Sequence, residues 1–484
     1  MNESQVLSSA PKELFIAGSW RSGENGARFA VEDPATGEPL CEIADGTEAD
    51  ALAALTAADE AQADWAKCPP RERSDILRRA FALIAERTDE LAMLMSLEMG
   101  KALVEARGEV AYANDFLRWF SEEAVRIHGS YSVSPNGQAR LLTMRQPVGP
   151  CLLITPWNFP LAMGTRKIGP AIAAGCTMVV KPAEQTPLSM LALGAIFAEA
   201  GLPAGVLNIV TTTRPGPVIG PLFDDPRLRK LSFTGSTEVG RALATRAMGR
   251  VLRVSLELGG NAPLLVFDDA DLELAVDQAM MAKLRNMGEA CTAANRLYVQ
   301  AGVVDEFARR MAARMEQLRL GRGVEPDTDL GPLIDAVQRD KVHDLVTDAV
   351  ERGATVVTGG EPLAGPGYFY RPTVLTHVPA ASRLLAEEIF GPVAPIVSFA
   401  TEEEAVTKAN ASEYGLIGYV FTRDLNRALR VAEALDTGMV GLNQGVASNA
   451  AAPFGGVKQS GFGREGGAEG IDEYLSLKYV GIGV

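Results

Sequence analysis

Residues that build metal sites and disulfide scaffolds are scarce in this 484-residue chain. Its three histidines are dispersed, and no C-x-x-C pair occurs among five widely spaced cysteines: Cys41, Cys68, Cys151, Cys176 and Cys291. An odd number of scattered thiols is typical of a reducing compartment, and it argues against both a disulfide framework and a zinc site. We therefore expect a cytoplasmic protein that holds no metal ion.

Long apolar runs and an excess of positive charge are also missing. Segments such as LALGAIFA are interrupted by charge or glycine well short of the ~18 residues that a membrane span requires. The beginning, MNESQVLSSAPKELF, lacks the basic start and apolar centre of a secretory signal. The net charge of −15, from 46 basic and 61 acidic residues, argues against nucleic acid or an anionic membrane as a main partner. A small anionic substrate remains compatible, because a basic pocket can form in an acidic protein.

The composition, 47% hydrophobic and 22% charged, is that of a globular protein, and the length predicts two or more domains. Residues 47–67 predict an alanine-rich helix that opens with a capping box of Thr47 and Asp50. A later helix is predicted with Thr186 as its N-cap and Pro187 as its first residue. Further short buried strands alternate with helices, which indicates parallel, doubly wound sheets of the α/β class.

Two segments follow predicted strands, where doubly wound sheets bind their ligands. In KPAE, Lys181 and Glu184 can bond the hydroxyls of an adenosine ribose, or form an ordinary surface ion pair. In FTGSTEVG, Gly235 and Ser236 open a helix, whose free N–H groups and dipole favour a pyrophosphate. Because FTGSTEVG is not the G-x-G-x-x-G fingerprint, it is a weak signal when taken alone.

Two further residues are candidates for chemistry. Cys291 lies among small residues in NMGEACTAAN, and Glu257 precedes two glycines in ELGGN. Taken singly, each has an ordinary interpretation, since a free cysteine is more often an inert core residue and a glutamate is usually solvated. The combination of these motifs in one chain is what favours catalysis.

The chain resembles the NAD(P)-dependent aldehyde dehydrogenases in seven ordered motifs: TPWNFP, KPAEQTP, FTGSTEVG, ELGGNAP, GEAC, EEIFGPV and PFGGVKQSGFGREGG. The resemblance runs from about residue 14 to the carboxyl end. Within that family it resembles the succinate-semialdehyde dehydrogenases in particular, through TRKIGPAIAAGCTMVVKPAEQTP, LRNMGEACTAANR and GIDEYLSLKYV.

The resemblance implies a set of roles. Cys291 would attack the aldehyde carbon, Asn158 and the Cys291 N–H would stabilise the oxyanion, and Glu257 would activate the hydrolytic water. It also implies a site for NAD, with NADP possible, formed by Trp157, Lys181, Glu184, Gly235, Ser236, Leu258, Glu388 and Phe390. Glu184 stands where relatives that use NADP often have serine. Its carboxylate would repel a 2′-phosphate, so NAD is favoured.

Substrate choice is implied by Arg166, Arg285 and Ser448, which match the residues that grip the distal carboxylate in succinate-semialdehyde dehydrogenases. Two guanidinium groups suit a carboxylate, although each arginine could instead pair with a structural acid. The chain departs from the family at two positions: Glu289 replaces a common glutamine, and Ala293 replaces a second cysteine near the nucleophile. A local disulfide switch is therefore not available.

An α/β, aldehyde dehydrogenase-like fold is implied, with two doubly wound parallel-sheet domains and a small β extension for oligomerisation. The predicted NAD(P)-binding domain covers 1–122 and 148–256, the catalytic domain covers 257–450, and the extension covers 123–147 and 464–484. Such an extension predicts a homodimer or homotetramer.

Other functions stay open. A dehydrogenase for glutarate semialdehyde or for a broad range of aldehydes differs in chain-length tolerance, which the sequence does not decide. A non-catalytic binding protein of the same fold would be expected to lose Cys291, Glu257 or Asn158, and all three are present. We therefore predict NAD(P)-dependent oxidation of succinate semialdehyde, or of a similar aldehyde that carries a carboxylate.

Overall fold

The computed structural model describes residues 2–483. Its strands, numbered in chain order, are β1 (Leu14–Ile16), β2 (Ser19–Arg21), β3 (Arg28–Asp33), β4 (Glu38–Ala44), β5 (Ser130–Val133), β6 (Ala139–Pro147), β7 (Cys151–Ile154), β8 (Met178–Lys181), β9 (Leu207–Ile209), β10 (Lys230–Thr234), β11 (Arg253–Glu257), β12 (Ala262–Val266), β13 (Ala294–Gln300), β14 (Thr355–Thr358), β15 (Thr373–Thr376), β16 (Val393–Phe399), β17 (Tyr414–Gly415), β18 (Ile417–Phe421), β19 (Met439–Leu442), β20 (Val457–Lys458), β21 (Gly461–Phe462) and β22 (Leu475–Gly483).

The helices precede, separate and follow these strands. They are α1 (Glu3–Ser9), α2 (Glu48–Lys67), α3 (Pro70–Glu86), α4 (Thr88–Met99), α5 (Leu103–Glu123), α6 (Ala162–Ala174), α7 (Leu188–Glu199), α8 (Pro215–Ile219), α9 (Thr237–Met248), α10 (Leu272–Leu284), α11 (Val304–Met315), α12 (Ala336–Glu351), α13 (Glu402–Asn410), α14 (Leu425–Ala434) and α15 (Glu469–Asp472). Short 3-10 turns occur at Ala124–Arg126, Gly220–Asp224, Arg285–Gly288 and Arg383–Leu385.

The first large sheet has the strand order β2-β1-β9-β8-β7-β10-β11-β21. Its five central strands, from β9 to β11, are parallel. The antiparallel strands β1 and β2 extend the sheet on one side, and β21 extends it on the other. From β7 the chain moves outward through β8 and β9, and then returns to add β10 on the other side of β7. The order therefore reverses between β7 and β10, which is the position where doubly wound sheets bind ligands.

The second large sheet has the order β14-β15-β16-β13-β12-β18-β19, and its strands are parallel from β15 to β19. Alternate residues of β12 point to different cores: Leu264 packs in one hydrophobic cluster and Leu265 in another. A sheet buried on both faces is typical of α/β proteins. The two parallel sheets confirm the predicted fold class.

A separate antiparallel sheet joins β5, β6 and β22. Its register runs from Leu475 opposite Pro147 to Gly483 opposite Ala139, so β6 and β22 pair along their whole lengths. β22 forms one edge of this sheet. These strands lie in the two segments assigned to an oligomerisation extension, and the domain boundaries themselves stay a prediction.

Two predicted helix starts are confirmed. α2 follows Thr47, whose hydroxyl accepts the Asp50 N–H while the Asp50 carboxylate accepts the Thr47 N–H. α9 follows Ser236, whose hydroxyl accepts the Val239 N–H. In both cases a short polar side chain satisfies an N–H group that the first helical turn leaves free.

The predicted cap at Thr186 is wrong. α7 begins at Leu188, and the Thr186 hydroxyl donates to the Trp157 carbonyl oxygen at 3.1 Å. The buried carboxylate of Glu98 accepts the N–H groups of Leu188 and Ser189 instead, at 2.7 and 2.9 Å. Glu98 of α4 therefore caps α7. The Thr186 hydroxyl instead stabilises the loop after β7 through its bond to Trp157.

Residues 2–483 include no helix that is long and apolar enough to cross a membrane. The same residues contain no group of three or more histidine, cysteine, aspartate or glutamate side chains placed to hold a metal ion.

Candidate active site

Cys291 lies in the turn between α10 and β13. Asn286 and Met287, just before it, have left-handed φ angles of 56° and 55°, which few residues other than glycine adopt. The turn places the largely buried Cys291 between two cavities, of about 220 Å³ and about 10 Å³. Burial raises the pKa of the thiol to about 12, although the charges of Arg166 and Arg285 oppose the rise. The thiol therefore needs a base before it can act as a nucleophile.

Asn158 lies in the loop after β7 and faces the larger of these cavities, together with Cys291. Its side-chain Nδ2 donates to the Glu289 carbonyl oxygen at 3.0 Å. Its own carbonyl oxygen accepts from Lys101 Nζ and Asn286 Nδ2, each at 2.9 Å. The backbone of Asn158 is thus held by two donors and its side-chain amide by one bond through Nδ2. The second hydrogen of Nδ2 can point to an oxyanion formed beside the thiol.

Glu257 is the last residue of β11 and is almost fully buried. Burial raises the pKa of its carboxyl well above the usual range; the charge of Glu465 adds to the rise, and Arg166 and Lys167 oppose it. Among the described residues, Oε2 of Glu257 has no hydrogen-bond partner. Its Oε1 lies against Gly455, where an added Cβ would come within 2.8 Å. The carboxyl is therefore a buried base with a free oxygen, beside a position that needs glycine.

The small cavity beside the nucleophile brings together all three residues predicted to bind a carboxylate. Its wall consists of Tyr112, Phe159, Met163, Arg166, Arg285, Cys291, Thr292, Ser448 and Phe454. Arg166 comes from α6, Arg285 from the turn before Cys291, and Ser448 from the loop after β19. Two guanidinium groups and a hydroxyl in one narrow space can bind a carboxylate.

The two arginines differ in their partners. Arg166 is fully buried, its Nη2 lies 2.7 Å from Glu465 Oε2, and its Cζ lies 4.0 Å from the centre of the Phe454 ring. Arg285 forms no ion pair within residues 2–483, and its Nη2 donates to the Thr292 hydroxyl at 3.4 Å. Pairing with a structural acid, the alternative considered for both arginines, therefore applies to Arg166 and not to Arg285.

The residues predicted for a cofactor line two cavities that share a wall. Lys181 and Glu184 line a cavity of about 460 Å³. Leu258, Glu388 and Phe390 line the cavity of about 220 Å³. Three residues line both cavities: Trp157, Gly235 and Ser236. The shared residues join the cavities into one groove that reaches Cys291. This groove lies over the reversal in strand order between β7 and β10.

Contacts between side chains position the residues at both ends of the groove. Lys181 Nζ lies 3.1 Å from Glu184 Oε2, so these residues form an ion pair and also present polar atoms to the cavity of about 460 Å³. Glu388 accepts a backbone N–H at 2.9 Å, and burial raises the pKa of its carboxyl to about 7. The rings of Trp157 and Phe390 meet edge to face, with centroids 5.3 Å apart.

Sequence analysis missed several wall residues. Phe159 and Phe454 lie inside recognised motifs, so they could have been found as neighbours of Asn158 and of the PFGG turn. Gln338 and Lys341 on α12 line the cavity of about 220 Å³, and Tyr112 on α5 lines the small one. No motif includes these three, so only the three-dimensional structure reveals them.

The fold and the groove define the class of protein, a nucleotide-dependent oxidoreductase, and the chain belongs to the aldehyde dehydrogenase family, whose sequence model matches residues 20–480. A succinate-semialdehyde dehydrogenase of Paenarthrobacter nicotinovorans is 60% identical over 92% of this chain and 98% of its own. A glutarate-semialdehyde dehydrogenase of Pseudomonas putida is 49% identical over 98% of each chain. The crystal structure of an NADP-dependent enzyme from E. coli matches with a TM-score of 0.97 and 47% identity over 100% of both chains. The predicted family is confirmed.

Proposed function

We propose that the protein oxidises succinate semialdehyde to succinate, with NAD or NADP as the hydride acceptor. The observation that carries this proposal is the position of Cys291 between the nucleotide groove and the cavity that contains Arg166, Arg285 and Ser448. The 60% identity to a succinate-semialdehyde dehydrogenase supports it. This substrate has an aldehyde carbon for the thiol and, at the other end of the molecule, a carboxylate for the arginines.

In the first step, the Cys291 sulfur forms a bond to the aldehyde carbon, and the carbonyl oxygen takes the electron pair as an alkoxide. Asn158 Nδ2 and the Cys291 N–H donate to this oxygen. The thiol proton must leave, because the pKa of the free thiol is raised to about 12. This proton passes to solvent water, and the positive charges of Arg166 and Arg285 favour the thiolate that remains. Glu257 serves the later hydrolytic step.

Bound NAD or NADP would supply a nicotinamide ring as the acceptor of the hydride from the former aldehyde carbon. The carbon is then a thioester of Cys291. Glu257 takes a proton from water, the water oxygen bonds to the thioester carbon, and the carbon–sulfur bond breaks to release succinate and the thiolate. A buried carboxyl with a free oxygen suits this general base, because its raised pKa lets it hold the proton.

The groove residues fit a dinucleotide. The N–H groups at the start of α9, from Ser236 onward, would bind a pyrophosphate. The Gly235 N–H already donates to the Glu257 carbonyl oxygen at 3.1 Å, and this bond holds the turn in place. Lys181 and Glu184 would bond the adenosine ribose, and Glu388 would bond the nicotinamide ribose. The remaining predicted residues, which would pack beside the nicotinamide, are Trp157, Leu258 and Phe390.

Glutarate semialdehyde is a second candidate substrate, one methylene longer. The Pseudomonas putida relative is named for it. Tyr112 and Arg285 also line a cavity of about 540 Å³ next to the small one, which leaves room for a longer chain. A single methylene changes discrimination by only about 1–3 kcal/mol, so both substrates belong in one test.

We also propose the organisation predicted from the sequence. The first sheet would form the NAD(P)-binding domain, the second the catalytic domain, and the antiparallel sheet the oligomerisation extension. Leu477 and Tyr479 on the edge strand β22 are exposed, and a second copy in a homodimer or homotetramer would cover such an edge. The enzyme would be cytoplasmic, with no nucleic acid or membrane as a partner. Light scattering of the purified protein measures the oligomeric state.

Initial rates with succinate semialdehyde, glutarate semialdehyde and butyraldehyde, each with NAD and NADP, test the proposed activity. We expect kcat/KM for succinate semialdehyde to exceed that for butyraldehyde by at least about tenfold, because only the former carries a charge for the arginines. A higher value for glutarate semialdehyde would favour the second candidate. Equal values for all three would contradict a carboxylate site, and a lack of reduced cofactor would contradict a dehydrogenase.

A further inference from the structure

One face of α5 borders the cavities beside the nucleophile. Glu105, Glu109, Tyr112 and Phe116 follow one another at helical spacing, which places them on one side of the helix. The first three line the cavity of about 540 Å³, and Tyr112 also lines the small cavity together with Cys291. Tyr112 therefore stands where the two cavities meet.

The two glutamates on this face already have partners. Glu109 forms a buried ion pair with Lys101 and accepts two backbone N–H groups around the start of α6. Glu105 accepts the N–H of Asn286 at 2.7 Å. The hydroxyl of Tyr112, in contrast, is buried and has no hydrogen-bond partner within 3.5 Å among residues 2–483, although the Ser448 hydroxyl lies near enough to lower its pKa. A buried hydroxyl without a partner is costly, so its presence calls for a ligand or another explanation.

The surroundings of this hydroxyl suit an anion. Burial raises the pKa of the Tyr112 phenol, whereas the positive charges of Arg166 and Arg285 and the nearby hydroxyl of Ser448 lower it. The phenol is thus a neutral donor that faces the three residues expected to hold the carboxylate. No aspartate or glutamate belongs to the wall of the small cavity.

The ring of Tyr112 is also fixed in direction. It meets the ring of Phe116 nearly edge-on, at 73° with centroids 5.0 Å apart. A packed ring loses little further freedom when its hydroxyl binds a ligand. Because Arg166 already shares its charge with Glu465, a carboxylate in this cavity needs donors besides the two arginines.

We propose that Tyr112 is a specificity-determining residue, whose phenol donates a hydrogen bond to the distal carboxylate of the substrate beside Arg285 and Arg166. A carboxylate has two oxygens with about four acceptor sites, so it can accept from both guanidinium groups, Ser448 and the phenol together. This inference rests on the proposed function, since it assigns a further ligand to the same substrate.

The test is Tyr112→Phe, which removes the hydroxyl and keeps the ring against Phe116. We expect kcat/KM for succinate semialdehyde to fall by about tenfold to a hundredfold, from the loss of a hydrogen bond to a charged group. The fall should come from a higher KM with kcat little changed. Inhibition by the product succinate should weaken by a similar factor. Butyraldehyde has the same carbon chain without the carboxylate, and its kcat/KM should be unchanged.

Tyr370→Phe is the matched control. Tyr370 is more deeply buried than Tyr112, and its hydroxyl contacts His343 Nδ1 at 3.3 Å. It lies in the second core cluster, outside the walls of the groove and the small cavity. This variant should leave both substrates unaffected.

Three results would overturn the inference. Equal losses for both aldehydes in Tyr112→Phe would assign the residue a structural role. If the parent favours succinate semialdehyde and Tyr112→Phe has the same kcat/KM as the parent, the contact is excluded and the proposed function remains. A parent that treats both aldehydes alike would overturn the carboxylate site, and with it both proposals.

Discussion

The two sides of Cys291 are built in different ways. On the nucleotide side, cavities of about 460 and 220 Å³ open over the ends of β7, β10 and β11. On the carboxylate side, a cavity of about 10 Å³ is lined by side chains from four distant segments, which include Tyr112, Arg166, Arg285 and Ser448. The long groove suits a long cofactor held at strand ends and a helix start. The narrow cavity suits a small anion, because charges act more strongly where water is scarce.

The largest expected effect concerns the residue that both sides share. Cys291→Ala should lower dehydrogenase turnover by roughly a thousandfold or more, because it removes the covalent step. Binding of NAD, followed by fluorescence titration, should persist, because the groove is left intact. Cys68→Ala is the control and should keep full activity. Substantial turnover in Cys291→Ala would contradict the assignment of the nucleophile.

The next effect separates the two halves of the reaction. Glu257→Gln should reduce the steady-state rate by about 10²–10⁴, yet still show a burst of reduced cofactor in stopped-flow absorbance. Because the pKa of Glu257 is raised, the parent carboxyl loses its proton at a higher pH than an ordinary glutamate does. The steady-state rate of the parent should therefore rise with pH as the proton leaves, and the variant should lack that rise. Loss of the burst would instead show that Glu257 acts before hydride transfer.

Variants of the two arginines test the carboxylate side. Arg285→Ala should reduce kcat/KM for succinate semialdehyde by roughly 30-fold to several thousand-fold, which corresponds to about 2–5 kcal/mol for the loss of one partner of a buried charge pair. The value for butyraldehyde should change little. Arg166→Ala should lower both values, because it also leaves Glu465 without the partner at 2.7 Å.

Thermal unfolding distinguishes these two variants. Removing one partner of a buried ion pair costs about 3–5 kcal/mol of stability when the other charge is left without a partner. Lys167 still pairs with Glu465 in Arg166→Ala, so this variant should lose less than that and melt moderately below the parent. Arg285→Ala should melt near the parent temperature, because Arg285 has no ion pair within the described residues. Equal losses for both aldehydes in Arg285→Ala would make this arginine structural as well.

The same contrast explains which parts of the site the sequence could predict. Gly235 and Ser236 lie within one strand–turn–helix segment, so their placement follows from local pattern and from the position of strand ends. Arg166, Arg285 and Ser448 were found only through the resemblance to a family. Tyr112 was missed, because a tyrosine on a long helix has no motif, and its place beside Cys291 arises from packing between distant segments.

The fold shows the same division between local and distant causes. The capping box of Thr47 and Asp50 is closed within one turn, and the predicted helix formed as expected. The predicted cap at Thr186 failed, because Glu98, 90 residues earlier than Leu188, satisfies the first N–H groups of α7. A competing cap that comes from another helix leaves no signal in the local sequence around Thr186.

The smallest expected effect lies at the outer end of the nucleotide groove. Glu184→Ser should raise the ratio of kcat/KM for NADP over NAD by up to about tenfold, since it removes a negative charge near the expected 2′-phosphate. The effect should be modest, because the Glu184 side chain is 40% exposed. Lys181, whose Nζ lies 3.1 Å from the Glu184 carboxylate, would become free to bind the phosphate.

Glu184→Gln is the matched control for this last prediction, because it removes the charge and keeps the length of the side chain. If charge decides the preference, both variants should shift toward NADP. A shift in Glu184→Ser alone would mean that the space at this position decides it. The E. coli relative of known structure is named as NADP-dependent, so the parent ratio must be measured first. A parent that prefers NADP would show that Glu184 does not exclude the 2′-phosphate, and the assignment of Glu184 to the ribose would then be wrong.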